Sequence, residues 1–156
     1  MKVMVIEDRP QTLKQISEKI CDYEELNGVE VIRCRDLDYA NQFISRNEEI
    51  DVIICDLSLE PIGFSEDECR QAQTGVLTGL VWLLNHIYNE NYELTKIIIF
   101  SDFLDALKRY LIKASNEEIY FCNKIVKIPK AGKDRAGYRF LLEVLLDAKR
   151  GIWNPN

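Results

Sequence analysis

The sequence predicts an α/β fold in which five strand–helix units form a doubly wound parallel sheet. Two patterns alternate along the 156 residues: short segments rich in Val and Ile, typical of strands, and longer segments with an apolar residue every three or four positions, typical of helices. Strands that alternate with helices indicate a parallel sheet with right-handed crossovers. Five such units suit the flavodoxin-like strand order 2-1-3-4-5, although the pattern alone does not fix that order.

The predicted strands are short and apolar. The third, at residues 51–55, and the fourth, at Lys96–Phe100, read DVIIC and KIIIF. Such almost continuous apolar runs are expected of central parallel strands that helices cover on both faces. The remaining strands are predicted at Lys2–Ile6, 29–34 and 124–128.

Helical spacing fills the intervals between these strands. In the first helix, Leu13, Ile16 and Ile20 follow Pro10, which suits a first helical turn because its missing N–H costs little there. The other four helices are marked by apolar residues at the same spacing: Leu37, Ala40, Phe43 and Ile44; Leu77, Leu80, Leu84 and Ile87; Phe103, Ala106, Leu107, Tyr110 and Leu111; and Leu141, Val144, Leu145 and Ala148.

Length and composition predict one soluble domain over residues 1–150, followed by a short C-terminal tail at 151–156, with no output domain. The chain is 47% apolar and 29% charged, and its net charge of −6 weighs against direct binding of nucleic acid. No apolar run approaches the ~20 residues that span a bilayer, and the first residues do not resemble a signal peptide. We therefore expect a cytoplasmic protein that does not bind membranes and is a monomer or weak dimer.

The connection between the third strand and the third helix is unusually long. Its residues 61–75 include Pro61, Gly63 and Gly75 and three consecutive acidic residues at 66–68. Connections at this position commonly have only a few residues, and longer ones tend to be functional or mobile. A short accessory helix over residues 66–73 is compatible with the pattern.

Polar residues follow the strands at their carboxyl ends. Glu7 and Asp8 follow the first strand, Asp56 the third and Ser101 the fourth, and Lys130 lies just beyond the fifth. Because ligands of open parallel sheets bind at the carboxyl ends of the strands, we expect these side chains to meet at one edge of the sheet.

Three carboxylates at one edge would repel each other unless a cation neutralised them. Mg²⁺ suits such a site, because it binds one or two carboxylates, oxygen ligands and waters. An Asp side chain can also act as a nucleophile and form an aspartyl-phosphate. Phosphoryl transfer needs mainly positioning and charge neutralisation, which Mg²⁺ and a lysine supply. The residues therefore predict a Mg²⁺ site beside a carboxylate nucleophile, which is an arrangement suited to phosphoryl transfer.

Segments along the whole chain resemble the motifs of response-regulator receiver domains. In chain order they are VMVIEDRP, DVIICDLSL, TGLVWLL, IIIFSD and IPKAG. The resemblance implies that Asp56 is the phosphoacceptor, that Ser101 is the switch hydroxyl and that Lys130 pairs with a phosphoryl oxygen. It also implies that Glu7, Asp8 and Asp56 bind Mg²⁺ together with the backbone carbonyl of Ser58.

The resemblance further implies a signalling protein that turns over no metabolite. A histidine kinase or phosphotransfer protein would supply the phosphoryl group. The signal would pass to a downstream protein by contact or through a phosphorelay.

Some residues depart from the receiver pattern and leave alternatives open. Asp102 replaces the usual small residue after the switch position, and Lys127 replaces the usual aromatic and competes with Lys130 for the role of active-site lysine. Both departures favour a pseudo-receiver that is not phosphorylated. A third class, a phosphohydrolase with an Asp nucleophile, commonly has a second acid two residues after the nucleophile, where this chain has Ser58.

Overall fold

The computed structural model describes residues 1–46, 49–88, 94–130 and 136–155. Its five strands form one sheet of order β2-β1-β3-β4-β5, and all four neighbouring pairs are parallel. This confirms the predicted flavodoxin-like, doubly wound sheet. The strands are β1 Lys2–Ile6, β2 Glu30–Cys34, β3 Val52–Cys55, β4 Lys96–Phe100 and β5 Val126–Ile128.

Helices connect the strands and cover the sheet. In chain order they are α1 Pro10–Asp22, a 3₁₀ turn at Glu24–Leu26, α2 Leu37–Ile44, α3 Glu66–Gln71, α4 Thr78–Trp82 with a π-helical continuation at Leu83–Tyr88, α5 Leu104–Leu111, α6 Asn116–Asn123 and α7 Ala136–Lys149. None of the helices in the described ranges is long and apolar enough to cross a membrane.

Two apolar cores lie on opposite faces of the sheet, because successive strand residues point to opposite sides. On one face, residues such as Val5, Ile54 and Phe100 pack with α1 and α7. On the other face, residues such as Ile53 and Ile99 pack with α2, α4, α5 and α6. The strand ends between these cores form the edge on which the polar residues lie.

The structure contains two helices, α3 and α6, in addition to those of the predicted five strand–helix units. The sequence allows α3, but it predicts a single helix between the fourth and fifth strands, which is wrong. Each of the two begins with a capping box, in which the side chains of Ser65 and Glu68, or of Ser115 and Glu118, bind each other's backbone N–H. The S-x-x-E pattern that produces this cap is present in the sequence at both positions.

The end of α6 also shortens the fifth strand. The residues at 124 and 125 close the helix, with Lys124 as its C-cap, so β5 begins at Val126 and not at residue 124. Phe103 likewise differs from the prediction. It lies at the N-cap of α5 with 44% of its surface exposed, so it is not part of the apolar face of that helix.

Gly79 brings α4 against the backbone that carries Asp56. Its N–H donates to the Leu57 carbonyl at 2.9 Å. A Cβ at this position would lie 1.9 Å from the Asp56 carbonyl oxygen and 3.0 Å from the Cys55 sulfur. The start of α4 can therefore approach the end of β3 only because residue 79 has no side chain.

We expect Gly79→Ala to lower the free energy of unfolding by about 3 kcal/mol or more, because a backbone oxygen cannot yield as a side chain can. The gain in helix propensity, about 1 kcal/mol, does not offset this clash. Gly28→Ala is the control, since a Cβ there meets nothing and only the positive φ of 81° opposes it, at about 1–2 kcal/mol. Urea denaturation measures both variants, and equal losses would contradict the close approach at Gly79.

Candidate functional site

The structure brings Glu7, Asp56 and Lys130 together at the carboxyl edge of the sheet. Hydrogen bonds from the Glu7 N–H to the Cys34 carbonyl, at 3.0 Å, and from the Asp56 N–H to the Ile6 carbonyl, at 3.1 Å, extend the sheet by one residue beyond the strands. The side chains of Glu7 and Asp56 are only 1% and 3% exposed, and that of Lys130 is 6% exposed. Three charged groups are thus buried in one place.

Lys130 binds both buried carboxylates. Its Nζ donates to Asp56 Oδ2 at 2.5 Å and also to Glu7 Oε2. The same nitrogen lies 5.9 Å from the centroid of the Phe100 ring, which forms an apolar wall beside it. A buried carboxylate is tolerated only when it is paired and hydrogen-bonded, and Lys130 supplies both conditions for two of them.

Lys127, the competing lysine, has different partners. Its Nζ donates to the carbonyls of Cys122, at 2.5 Å, and Ile125, at 2.9 Å, which lie at and beyond the end of α6. Burial lowers the pKa of this lysine. Lys127 therefore caps a helix on one face of the sheet, whereas Lys130 reaches the carboxylates at its edge.

Asp8 lies beside the buried charges and is itself half-buried. Burial raises the pKa of the Asp8 carboxyl, and the negative charges of Glu7 and Asp56 raise it further. A hydrogen bond from the backbone of Glu60 acts in the opposite direction. Asp8 is thus close enough to Glu7 and Asp56 for their charges to act on it. The sequence predicts this proximity of the three acids.

Ser101 is fully buried at the end of β4. Its N–H donates to the Ile128 carbonyl at 3.1 Å, its carbonyl accepts from the Lys130 N–H at 3.4 Å, and its hydroxyl accepts from the Phe103 N–H at 3.2 Å. The hydroxyl therefore supports the turn into α5, and the backbone of Ser101 holds the segment that carries Lys130. Asp102, directly after it, is exposed.

Arg9 also belongs to the site, although the sequence patterns above do not predict a role for it. Its Nε and its backbone N–H each donate to Glu7 Oε1 at 3.1 Å, and one of its terminal nitrogens lies 3.6 Å from Asp56 Oδ2. Burial lowers the pKa of the guanidinium, but the hydrogen bond and charge of Glu7 and the charge of Asp56 outweigh burial and raise it. A cation directly after an acidic pair is the signal that points to such a role.

The side chains predicted to bind magnesium do not converge on a common position that a metal ion could occupy. Within the described ranges, no three His, Cys, Asp or Glu side chains converge closely enough to hold a metal ion. Lys130 and Arg9 occupy the two oxygens of Glu7, and the Ser58 N–H donates to Asp56 Oδ1 at 3.4 Å. The donors are all oxygens, which fits Mg²⁺ chemically, so the metal assignment stays a prediction that requires Arg9 or Glu7 to move.

An open cleft of about 850 Å³ adjoins these residues. Asp8 and Arg9 form one wall, Arg35 and Asp36 after β2 form another, and Glu60 and Ile62 of the long connection form a third, with Pro10, Gln11 and Thr12 completing the lining. The cleft gives solvent a route to the exposed side of the charge cluster.

The long connection after Asp56 confirms the predicted accessory helix and shows where it packs. Glu68 of α3 accepts from the Asn85 side chain at 2.9 Å, and Gln71 donates to the Tyr110 hydroxyl of α5 at 3.4 Å. Ala72 is completely buried. The later part of the connection is thus anchored to α5 and to the π-helical turn after α4, while its first residues line the cleft.

Solved structures share this architecture from end to end. The receiver domain of Francisella response regulator 1452 covers 96% of this chain, which covers 98% of that domain, with a TM-score of 0.55 and 18% identity. A response-regulator receiver domain from Clostridium thermocellum has a TM-score of 0.59 and 17% identity, with 96% and 94% coverage. The chain has the fold of response-regulator receiver domains.

The same fold is found in the N-terminal domain of an uncharacterized Wolinella succinogenes protein, at a TM-score of 0.64 and 20% identity, with 96% of this chain and 94% of that chain covered. No protein-family model matches the sequence, and no curated protein matches it. At these identities the receiver likeness shows the fold, whereas the chemistry depends on the residues at the edge.

Proposed function

We propose that this receiver-like domain accepts a phosphoryl group on Asp56 and acts as a signalling switch. The observation that supports the proposal most is the pairing of a nearly buried Asp56 carboxylate with the Lys130 ammonium at 2.5 Å, at the carboxyl edge of the sheet. Such a site holds a nucleophile and a counter-charge in fixed positions before any phosphodonor arrives.

In the proposed reaction, a carboxylate oxygen of Asp56 forms a bond to phosphorus while the donor's leaving group departs with the electron pair of the bond that breaks. The phosphoryl group adds roughly two negative charges to the site. Lys130 already contacts Oδ2, so it is in place to bind a phosphoryl oxygen. Its backbone is fixed to β4 through Ser101, which keeps the ammonium in position.

Mg²⁺ is the proposed cofactor. Asp8, Asp56, Glu7 and the backbone carbonyl of Ser58 would hold it. When bound, the ion supplies neutralisation of phosphoryl oxygens, which is the main requirement of phosphoryl transfer. This chain's own residues orient the carboxylate and keep water from its buried side.

The proposed partners follow from the same assignment. A histidine kinase or phosphotransfer protein would donate the phosphoryl group, and a downstream protein would receive the signal by contact or phosphorelay in the cytoplasm. The domain would catalyse only its own phosphorylation and dephosphorylation.

Incubation with acetyl phosphate and Mg²⁺, followed by intact-mass measurement, tests the proposal. We expect one added phosphoryl group that depends on Mg²⁺ and is absent with EDTA. No labelling with donor and Mg²⁺ in excess would favour the alternative, a pseudo-receiver interaction module. The observation that supports this alternative is that Lys130 and Arg9 already satisfy both oxygens of Glu7. Sustained turnover of a phosphate ester would instead support a phosphohydrolase.

We expect Ser101→Ala to keep the labelling but to weaken the response of α5. The hydroxyl accepts one hydrogen bond, from the Phe103 N–H at the start of α5, so its loss costs about 1 kcal/mol of stability. Backbone NMR shifts of Leu104–Leu111 before and after labelling measure the response, with Ser45→Ala as a control whose hydroxyl donates to the Gln42 carbonyl far from the site. Complete loss of labelling in Ser101→Ala would contradict this separation of roles.

A further inference from the structure

Two cations face three carboxylates at the edge of the sheet. Lys130 is nearly buried and bridges Glu7 and Asp56, so it cannot leave without depriving both buried acids of their shared cation. Arg9 differs, because 55% of its side chain is exposed while its guanidinium contacts Glu7 and approaches Asp56. Lys130 is therefore the fixed cation of the site, and Arg9 is the one that can move.

We propose that Arg9 is a built-in counter-cation that competes with Mg²⁺ for the carboxylates of this site. The inference rests on the proposed magnesium site and names the residue that sets its affinity. With Arg9 and Lys130 both in place, the three carboxylates keep one net negative charge. A divalent ion added to that arrangement would leave excess positive charge, whereas the same ion with Arg9 withdrawn leaves the cluster neutral.

The contacts of Glu7 make the competition direct. Arg9 Nε and the Arg9 backbone N–H both donate to Oε1 and fill the two acceptor positions of that oxygen, while Lys130 binds Oε2. Mg²⁺ holds its ligands at about 2.0–2.1 Å and needs near-octahedral geometry. The guanidinium must leave Oε1 before that oxygen can serve the ion.

The Arg9 side chain can move into the cleft next to the site when it leaves Glu7. Arg9 lines this cleft together with Glu60, whose carboxylate carries the charge that a displaced guanidinium needs, and with Asp36, which is already paired with Arg35. The side chain can therefore swing away from Glu7 without losing all of its electrostatic partners. The competition predicts a weak magnesium site in the wild-type protein.

Mg²⁺ titration of the Arg9→Gln variant tests the inference. We expect the variant to bind Mg²⁺ at least about tenfold more tightly than the wild type, because a charged hydrogen-bonding competitor is gone. Calorimetry gives the affinity, and NMR shifts of Glu7, Asp8 and Asp56 locate the ion. Arg35→Gln is the matched control, since Arg35 lines the same cleft but forms its ion pair with Asp36, at 3.4 Å, and not with the buried acids.

Thermal unfolding supplies a readout that a merely structural arginine would not change. Without Mg²⁺, Arg9→Gln should unfold at a lower temperature than the wild type, because Glu7 has lost a partner. With saturating Mg²⁺ this difference should shrink or reverse, since the ion replaces the lost charge and stabilises the folded state by mass action.

Equal Mg²⁺ affinity at this site in the wild type and Arg9→Gln would overturn the role of Arg9 and leave the magnesium proposal standing. Absence of binding at Asp8 and Asp56 in every variant would overturn both. A destabilisation of Arg9→Gln that is the same with and without Mg²⁺ would show that Arg9 is structural only. An equal gain in affinity for Arg35→Gln would show that general cleft charge, and not the contact with Glu7, sets the affinity.

Discussion

Asp56→Asn abolishes phosphoryl labelling by acetyl phosphate if Asp56 is the acceptor. The substitution keeps the size of the side chain but replaces the anionic nucleophile by an amide. We do not expect Glu7 to take over the reaction, because it is only 1% exposed and two cations, Arg9 and Lys130, neutralise it. Intact-mass measurement should show the labelled wild type and an unlabelled variant under identical conditions.

Asp51→Asn is the matched control for this experiment. Asp51 lies just before β3, at the opposite end of the strand from Asp56, and its Oδ2 accepts from the Lys2 N–H at 2.7 Å. The control should therefore label like the wild type. Asp56→Asn should stay folded, because Lys130 keeps Glu7 as its partner. Labelling of Asp56→Asn at the wild-type level would refute the assignment.

The sheet and its polar edge were predictable because two independent patterns agree. Alternating strand and helix periodicities define the parallel sheet, and the polar residues occur where those strands end. Residues just beyond a strand are freed from the alternation between the two faces, so Glu7 and Asp56 can meet at the edge. This part of the prediction needs only the approximate ends of the strands.

The choice between the two lysines depends on a boundary that sequence pattern leaves uncertain. A strand placed at 124–128 does not by itself say where the side chain of Lys127 points. In the structure Lys127 lies inside β5 and is directed to the carbonyls at and just beyond the end of α6, whereas Lys130 lies two residues beyond the strand. Side-chain direction, and not residue type, thus separates the two candidates.

The helix α6 was missed for a different reason. Its apolar residues follow no clear helical stripe, so periodicity gives little signal there. The capping box of Ser115 and Glu118 marks the start of the helix instead. Arg9 was missed because its role depends on the direction of a long side chain, which turns back over Glu7.

Lys130→Met should produce a large loss of stability. The side chain of Lys130 is 6% exposed, and it is hydrogen-bonded to two carboxylates that are 1% and 3% exposed. Methionine keeps the volume but leaves Glu7 and Asp56 as two neighbouring buried anions, with Arg9 as the remaining cation that contacts them among the described residues. Removing one member of a buried ion pair costs about 3–5 kcal/mol, so we expect a loss in that range in urea denaturation.

Lys127→Met is the control, because Lys127 is a partly buried lysine from the same segment whose partners in the described ranges are carbonyl oxygens. Its loss should cost about 1–3 kcal/mol, as for hydrogen bonds of a charged group. Adding Glu7→Gln to Lys130→Met should restore part of the stability, since it removes one of the two unpaired anions. The effects of the two substitutions should therefore not be additive. Lys130 would have no role in neutralising the buried acids if its replacement cost no more than that of Lys127 and if Glu7→Gln brought no recovery.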